Sequence, residues 1–153
     1  MIISYLEIYS RMLGKIVDYD FLSLSKETAY EFMHDWLSSA LSKPYVRKIF
    51  SSIKIEDEIM EIDFVLKNSV DEYFDKNFVV EVLSQGTMIE WLEPKVNSTA
   101  NIAQFFGGKE EKFYSQSNHL SVLIELLDKT KISQRKLIRD FGYQYNSYIG
   151  EDL

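Results

Sequence analysis

The sequence predicts a mainly α-helical fold: a small helical bundle with a long C-terminal helix, one short β element and an extended C-terminal tail. Three observations lead there. Apolar residues recur three and four positions apart along most of the chain, the spacing of one helical face. Only two prolines interrupt the 153 residues, so long helices are allowed. A single segment, 59–67, alternates apolar and polar residues with a period of two, as a strand with one buried face does. No linker or repeat divides the chain. It reads as one helical domain over 1–142, with the β element near 53–67, followed by an interaction tail over 143–153.

In chain order, Ile2, Tyr5, Leu6, Tyr9, Met12, Leu13 and Ile16 predict an amphipathic helix over 2–17, broken by Asp18-Tyr19-Asp20. Ser25 is placed to cap a second helix whose stripe is Phe32, Met33, Trp36, Leu37, Ala40 and Leu41. Pro44 closes it, and a helical turn follows near 45–50. In the β element, Met60, Ile62, Phe64 and Leu66 form the apolar row. Its partner is either Ile53–Ile55 in a local hairpin or a strand of another copy, since a strand needs a neighbour. Asp75 is placed to cap a third helix with Val79, Val82, Leu83, Ile89 and Leu92 as its buried row. Gly86 in its middle costs roughly 1 kcal/mol against alanine, which points to close helix packing. Pro94 is expected to end this helix, and Gly107-Gly108 to stop a short one over 98–106. The last helix is expected over 115–141, roughly 40 Å long.

The absence of cysteine removes disulfide scaffolds, thiolate metal sites and cysteine nucleophiles. No apolar run is long enough for a membrane span, and Glu7, Arg11 and Lys15 break the pattern of a secretory signal. Synthesis in the cytoplasm and no membrane partner are therefore expected. The ten tyrosines suit surfaces buried against something else, because the ring is apolar while the hydroxyl wants a polar partner.

The net charge of −7 is unevenly placed. Residues 1–55 carry seven basic and six acidic groups, 56–93 two and eleven, 94–153 eight and seven. The middle segment, at −9, therefore holds the whole imbalance, beginning with Glu56, Asp57, Glu58, Glu61 and Asp63. Against it, Lys129, Lys131, Arg135, Lys136 and Arg139 place five cations within eleven residues. Three readings of this basic stretch stand open. It is a solvated face near a helix C-terminus, a phosphate-contacting patch, or an inter-subunit surface complementary to the acidic segment.

No arrangement for catalysis emerges, and no cofactor or metal is expected. Glu31-x-x-His34 has ligand spacing, but a carboxylate-bridged metal pair needs a second such motif, and His119 has Gln116 in the required place. His34-Asp35 is too little for a metal-dependent phosphohydrolase. Gly107-Gly108-Lys109 lacks the first glycine of a phosphate loop and the following Ser or Thr. The chain reads as a non-enzyme.

Two stretches resemble a known family. They are Met88-Ile89-Glu90-Trp91-Leu92-Glu93-Pro94-Lys95-Val96-Asn97-Ser98, and Phe113-Tyr114-Ser115-Gln116-Ser117-Asn118-His119-Leu120 with Arg135-Lys136-Leu137-Ile138-Arg139-Asp140-Phe141-Gly142-Tyr143 beyond it. They resemble small proteins encoded in the virion-structure gene clusters of tailed phages of low-GC Gram-positive bacteria, over roughly 70–148. The resemblance implies a virion protein of the neck: a head-to-tail adaptor, forming a dodecameric ring that binds the portal and the next neck or tail-completion protein. DNA would pass its lumen without specific binding, and the acidic segment from Glu56 to Asp63 would then fit either the inter-subunit contact or the lining of that lumen. It also implies a C-terminal docking segment, here Phe141, Tyr143, Tyr145, Tyr148 and Ile149. The alternatives are a head-completion, stopper or tail-terminator protein, or a small helical nucleic-acid-binding regulator using the basic stretch.

Overall fold

A computed structural model of the chain describes residues 1–16, 24–105 and 110–143, with side chains described at 1–16, 24–98 and 119–141. Its elements run β1 (Ile2–Ser4), α1 (Tyr5–Leu13), α2 (Lys26–Leu41), α3 (Pro44–Arg47), β2 (Phe50–Glu56), β3 (Glu61–Leu66), α4 (Glu72–Phe105) and α5 (Glu110–Tyr143). The architecture is mainly helical with one small antiparallel sheet, ordered β1-β3-β2.

The first residues depart from the helix expected over 2–17. Ile2 to Ser4 form an edge strand paired with β3, Ile3 opposite Ile62. The helix starts at Tyr5 because Ser4 and Glu7 form a capping box: the Leu6 N–H donates to Ser4 Oγ at 3.2 Å, and the Ser4 N–H donates to Glu7 Oε2 at 2.8 Å. Ile3 is buried while Ile2 stays exposed, the alternation of a strand.

β3 is therefore paired on both sides within the chain, by β1 and by β2 in a hairpin, Ile53 opposite Phe64. Ile62, Phe64 and Leu66 point inward as the period of two predicts, and Phe64 meets Phe50 edge-on, with ring centroids 5.9 Å apart. Met60 falls in the connecting turn with φ 56°, a left-handed conformation that costs a methionine about 1 kcal/mol. Its carbonyl accepts the Tyr5 N–H at 2.9 Å, which ties the turn to the start of α1.

Ser25 caps α2 as expected, accepting from the Thr28 N–H at 3.3 Å. Met33, Leu37, Ala40 and Leu41 are buried, whereas Phe32 lies outside against Trp36. Pro44 opens the short α3 at its first position, where its missing N–H costs nothing.

α4 is the centre of the fold. It packs against α1, α2 and α5 and touches β1. Three expectations change here. Its cap is Asp71, which accepts the Phe74 N–H at 2.8 Å. Asp75 is instead buried, and holds the preceding loop by accepting from the Val70 N–H at 3.0 Å and the Ser69 hydroxyl. The helix also continues through Pro94 to Phe105, joining the two segments expected to be separate. The lost backbone hydrogen bond is outweighed by burial of Trp91 and Leu92 just before it. Gly86 performs the close packing expected of it: a Cβ there would lie 2.9 Å from Gln134 Nε2 and 3.0 Å from Ala40 Cβ.

α5 runs antiparallel to α4 and is longer at both ends than expected. The Gln134 amide donates to the Val82 carbonyl at 3.0 Å, and the Phe141 ring lies 4.3 Å from that of Phe78. Each of the two helices spans 34 residues, about 50 Å. Gly107 and Gly108 lie outside the described residues, as does Asp18-Tyr19-Asp20.

Candidate functional site

The β2–β3 turn, α1 and α2 converge on a cluster of which the sequence motifs show only the α2 part. Asp57, in the turn, accepts the Tyr5 hydroxyl at 2.5 Å, and His34 Nε2 lies 3.0 Å from the same oxygen, Oδ1. Because a carboxylate only accepts, Nε2 carries the proton in that contact. The Tyr5 hydroxyl first and the His34 ring second hold the Asp57 carboxyl below its usual range. Burial, reinforced by the Asp57 carboxylate, pushes the Tyr5 phenol well above its ordinary value. Asp35 Oδ1 lies 3.9 Å from the other imidazole nitrogen.

Beside this cluster is an open depression of about 460 Å³ lined by Tyr30, Glu31, His34, Asp35, Asp57 and Met60. Aromatic rings back it, with Tyr5 and Tyr9 centroids 6.2 Å apart and Tyr9 and Tyr30 5.8 Å apart. Tyr9 is buried, and its hydroxyl has no hydrogen-bond partner among the described residues. His34-Asp35 was the visible trace of this site in the sequence. Its partner Asp57 lies 23 residues away from His34 and reaches it only through the hairpin. Among the described residues no group of three or more His, Asp and Glu side chains is placed to hold a metal ion.

The acidic residues anticipated from charge lie around the hairpin. Glu56 pairs with Lys54 at 2.6 Å, and Asp63 accepts from the Met1 amino group at 3.1 Å. Glu56 and Glu61 face each other across the strands. Asp57 and Glu58 are exposed, next to an Ile59 that is 58% exposed.

The basic residues lie on α5 and largely meet partners within the chain. Lys129 pairs with Glu125 at 2.8 Å and Lys131 with Glu93 at 3.0 Å. The Arg135 guanidinium lies 5.5 Å from the centre of the Tyr45 ring, and Arg139 lies 3.6 Å from Asp140. Lys136 is exposed. Tyr45, Arg135, Ile138 and Arg139 line a second depression, of about 410 Å³.

One anticipated docking residue is corrected. Phe141 is buried in a three-ring stack with Phe74 and Phe78, because it falls on the α5 face turned to α4. It belongs to the interior and not to a free tail. Tyr143 is the last residue of α5, while Tyr145, Tyr148 and Ile149 lie outside the described residues. Of the resembling stretches, Trp91 and Leu92 are buried, and Lys95 sits over the Trp91 ring at 5.2 Å.

No family model, curated protein or solved structure matches the chain. No helix among the described residues is long and apolar enough to cross a membrane.

Proposed function

We propose that this chain is a structural subunit of a tailed-phage virion, a head-to-tail adaptor that assembles as a ring in the neck and binds the portal. The observation that carries the reading is a pair of unlike but complementary surfaces on one subunit. One is the exposed acidic turn Asp57-Glu58-Ile59, an apolar residue beside two carboxylates. The other is the depression formed by Tyr45, Arg135, Ile138 and Arg139, an apolar floor beside two guanidinium groups. A ring requires such a heterologous contact, in which one patch meets a different patch of the next copy. In this reading the acidic turn makes the lateral contact, DNA passes without specific binding, and the tail beyond Tyr143 reaches the portal.

The basic stretch supports a regulator that grips nucleic acid less well. Lys129, Lys131 and Arg139 each sit beside a carboxylate of their own chain, which offsets the field a phosphate backbone would feel. The test is the purified particle. A dodecameric ring at the neck is expected, with head–tail joining lost in an Arg135→Glu, Arg139→Glu variant that folds normally. Absence from virions overturns the proposal; a hexameric copy number replaces the adaptor with a terminator.

A further inference from the structure

We infer that the outer edge of β2 pairs with β2 of a second copy, antiparallel and centred on Ile55, so that Lys54 of each copy lies opposite Glu56 of the other. This goes beyond the adaptor reading and does not depend on it. The same patch meets itself on both copies, which closes a dimer of the chain in solution and not a ring.

The hydrogen-bond pattern of the sheet leaves this edge open. On the β1 side of β3, the Met1 amino group donates to the Phe64 carbonyl and the Phe64 N–H donates to the Met1 carbonyl, both at 2.8 Å. The Tyr5 N–H donates to the Met60 carbonyl. Such pairs alternate in an antiparallel sheet, so Met60, Ile62 and Phe64 turn their backbone groups to β1, and Glu61, Asp63 and Val65 turn theirs to β2. Opposite these last three stand Glu56, Lys54 and Ser52, whose backbone groups point back at β3. Ile53 and Ile55 therefore direct their N–H and C=O groups away from the sheet. β2 is at its border, and among the described residues no other segment pairs with them. Such a row is a template for another strand. The opposite border, β1, is only three residues long, and its Ser4 N–H is taken up by Glu7.

The side chains select the occupant and the register. An edge lysine ordinarily keeps strands away, and Lys54 is 73% exposed. Self-pairing centred on Lys54 sets two ammonium groups against each other, and pairing centred on Glu56 does the same with two carboxylates. Registers nearer Phe50 leave both charges without an opposite. Centred on Ile55, the signs match twice. Glu56 gains most, because within its own chain it lies opposite Glu61, a like-charge pair that weakens a sheet. Its cation there is Lys54 of the same strand, at 2.6 Å. Lys54 of the second copy adds another on the side away from Glu61. The apolar face matches in the same register. Ile3, Ile62 and Ile55 form one row across the sheet, and half-buried Ile55 is its outer end. The pairing continues that row through Ile55, Ile62 and Ile3 of the second copy, in one sheet with three strands from each.

Sedimentation velocity of the full chain over a rising concentration series tests this. A weak, reversible dimer is expected, because the paired strip is short, and it should weaken as ionic strength rises. Hydrogen exchange followed by NMR reads the edge itself. The Ile55 amide should gain protection with concentration, whereas that of Lys54, already turned to β3, should not. Lys54→Glu and Glu56→Lys should each weaken the dimer roughly tenfold, since two cross-strand attractions become repulsions. The two changes together should restore it, because opposite signs face each other again. Lys54→Gln, which only removes the charge, should weaken it less. A circular dichroism spectrum matching the wild type identifies each loss as one of pairing and not of folding. A monomer at every concentration, a dimer without protection at Ile55, or a dimer indifferent to both Lys54 variants would overturn the pairing. So would a double variant as weak as the single ones.

Discussion

The helices α4 and α5 each span 34 residues and lie side by side, yet they treat their apolar residues in opposite ways. From Phe78 to Leu92, every residue of α4 is buried except Glu81 and Glu90. Those two carboxylates are half-buried and met by neighbouring cations: Glu81 by Lys15 and Arg11 of the α1 region, Glu90 by Lys43 after α2 at 3.1 Å. Among its described side chains, 119–141, α5 buries only a stripe, Leu123, Leu127, Thr130, Gln134 and Phe141, and leaves Val122, Ile124 and Ile132 exposed. A helix surrounded on all sides needs a partner for every charge. A helix with one buried face can carry its charges in water, where ion pairs contribute little.

The contrast is sharpest for apolar truncation. Leu83→Ala in α4, at a fully buried site, should cost about 2–5 kcal/mol in urea unfolding. Ile132→Ala in α5, at a residue 66% exposed, should change stability by no more than about 0.5 kcal/mol. Similar values for both would break the comparison.

Next comes Gly86→Ala. Its helix-propensity gain of about 1 kcal/mol is opposed by overpacking against Ala40 and against a Gln134 amide already held by Val82. A net loss of about 1–2 kcal/mol is expected. A stabilised variant would show that α2, α4 and α5 are less tightly packed than described.

A smaller effect separates the acids. Burial alone would raise the Glu81 carboxyl, but Lys15, Gln85 and Arg11 outweigh it, and the net shift is downward. Its contribution is therefore complete above the ordinary glutamate value of about 4.3 and disappears as pH falls through the lower folded value. Glu81→Gln should cost about 1 kcal/mol at neutral pH, with the difference from wild type vanishing in acid. Measured unfolding across that range checks both the sign and the window. Glu125→Gln on α5 removes only an exposed pair with Lys129 and should have no resolvable effect.

The opposite sign is expected of Gln134→Met. Gln134 donates to a carbonyl inside α4, while its own Oε1 is buried without a partner among the described residues. An apolar chain of similar shape removes that orphan oxygen, so a gain of up to about 1 kcal/mol is expected in the same unfolding experiment. Destabilisation by more than that would mean the amide is a needed clamp between α4 and α5.

Much of this fold was legible along the chain. Ser25 and the stripe Met33, Leu37, Ala40 and Leu41 specify α2, and the alternation of Ile62, Phe64 and Leu66 specifies β3. Gly86 signalled a close approach before its neighbours were known. The start of α1 was also legible in Ser4-x-x-Glu7, although the apolar spacing from Ile2 onward masks it. The candidate site was much less so. Tyr5, His34 and Asp57 come from three separate elements, and nothing in the spacing of the acids distinguishes Asp57 from Glu56 or Glu58.

Periodicity, capping residues and composition thus determined that the chain is mainly helical, with a small sheet and an uneven charge. Those signals act within a few residues, where each side chain biases its own backbone. Tertiary structure alone decided that β1 pairs with β3, that α4 is the surrounded helix, that it runs through Pro94, and that Asp57 meets His34. Each of these depends on burial shared between distant segments. Summed over a helix packed on every side, that burial outweighs a local penalty of about 3 kcal/mol such as an interior proline.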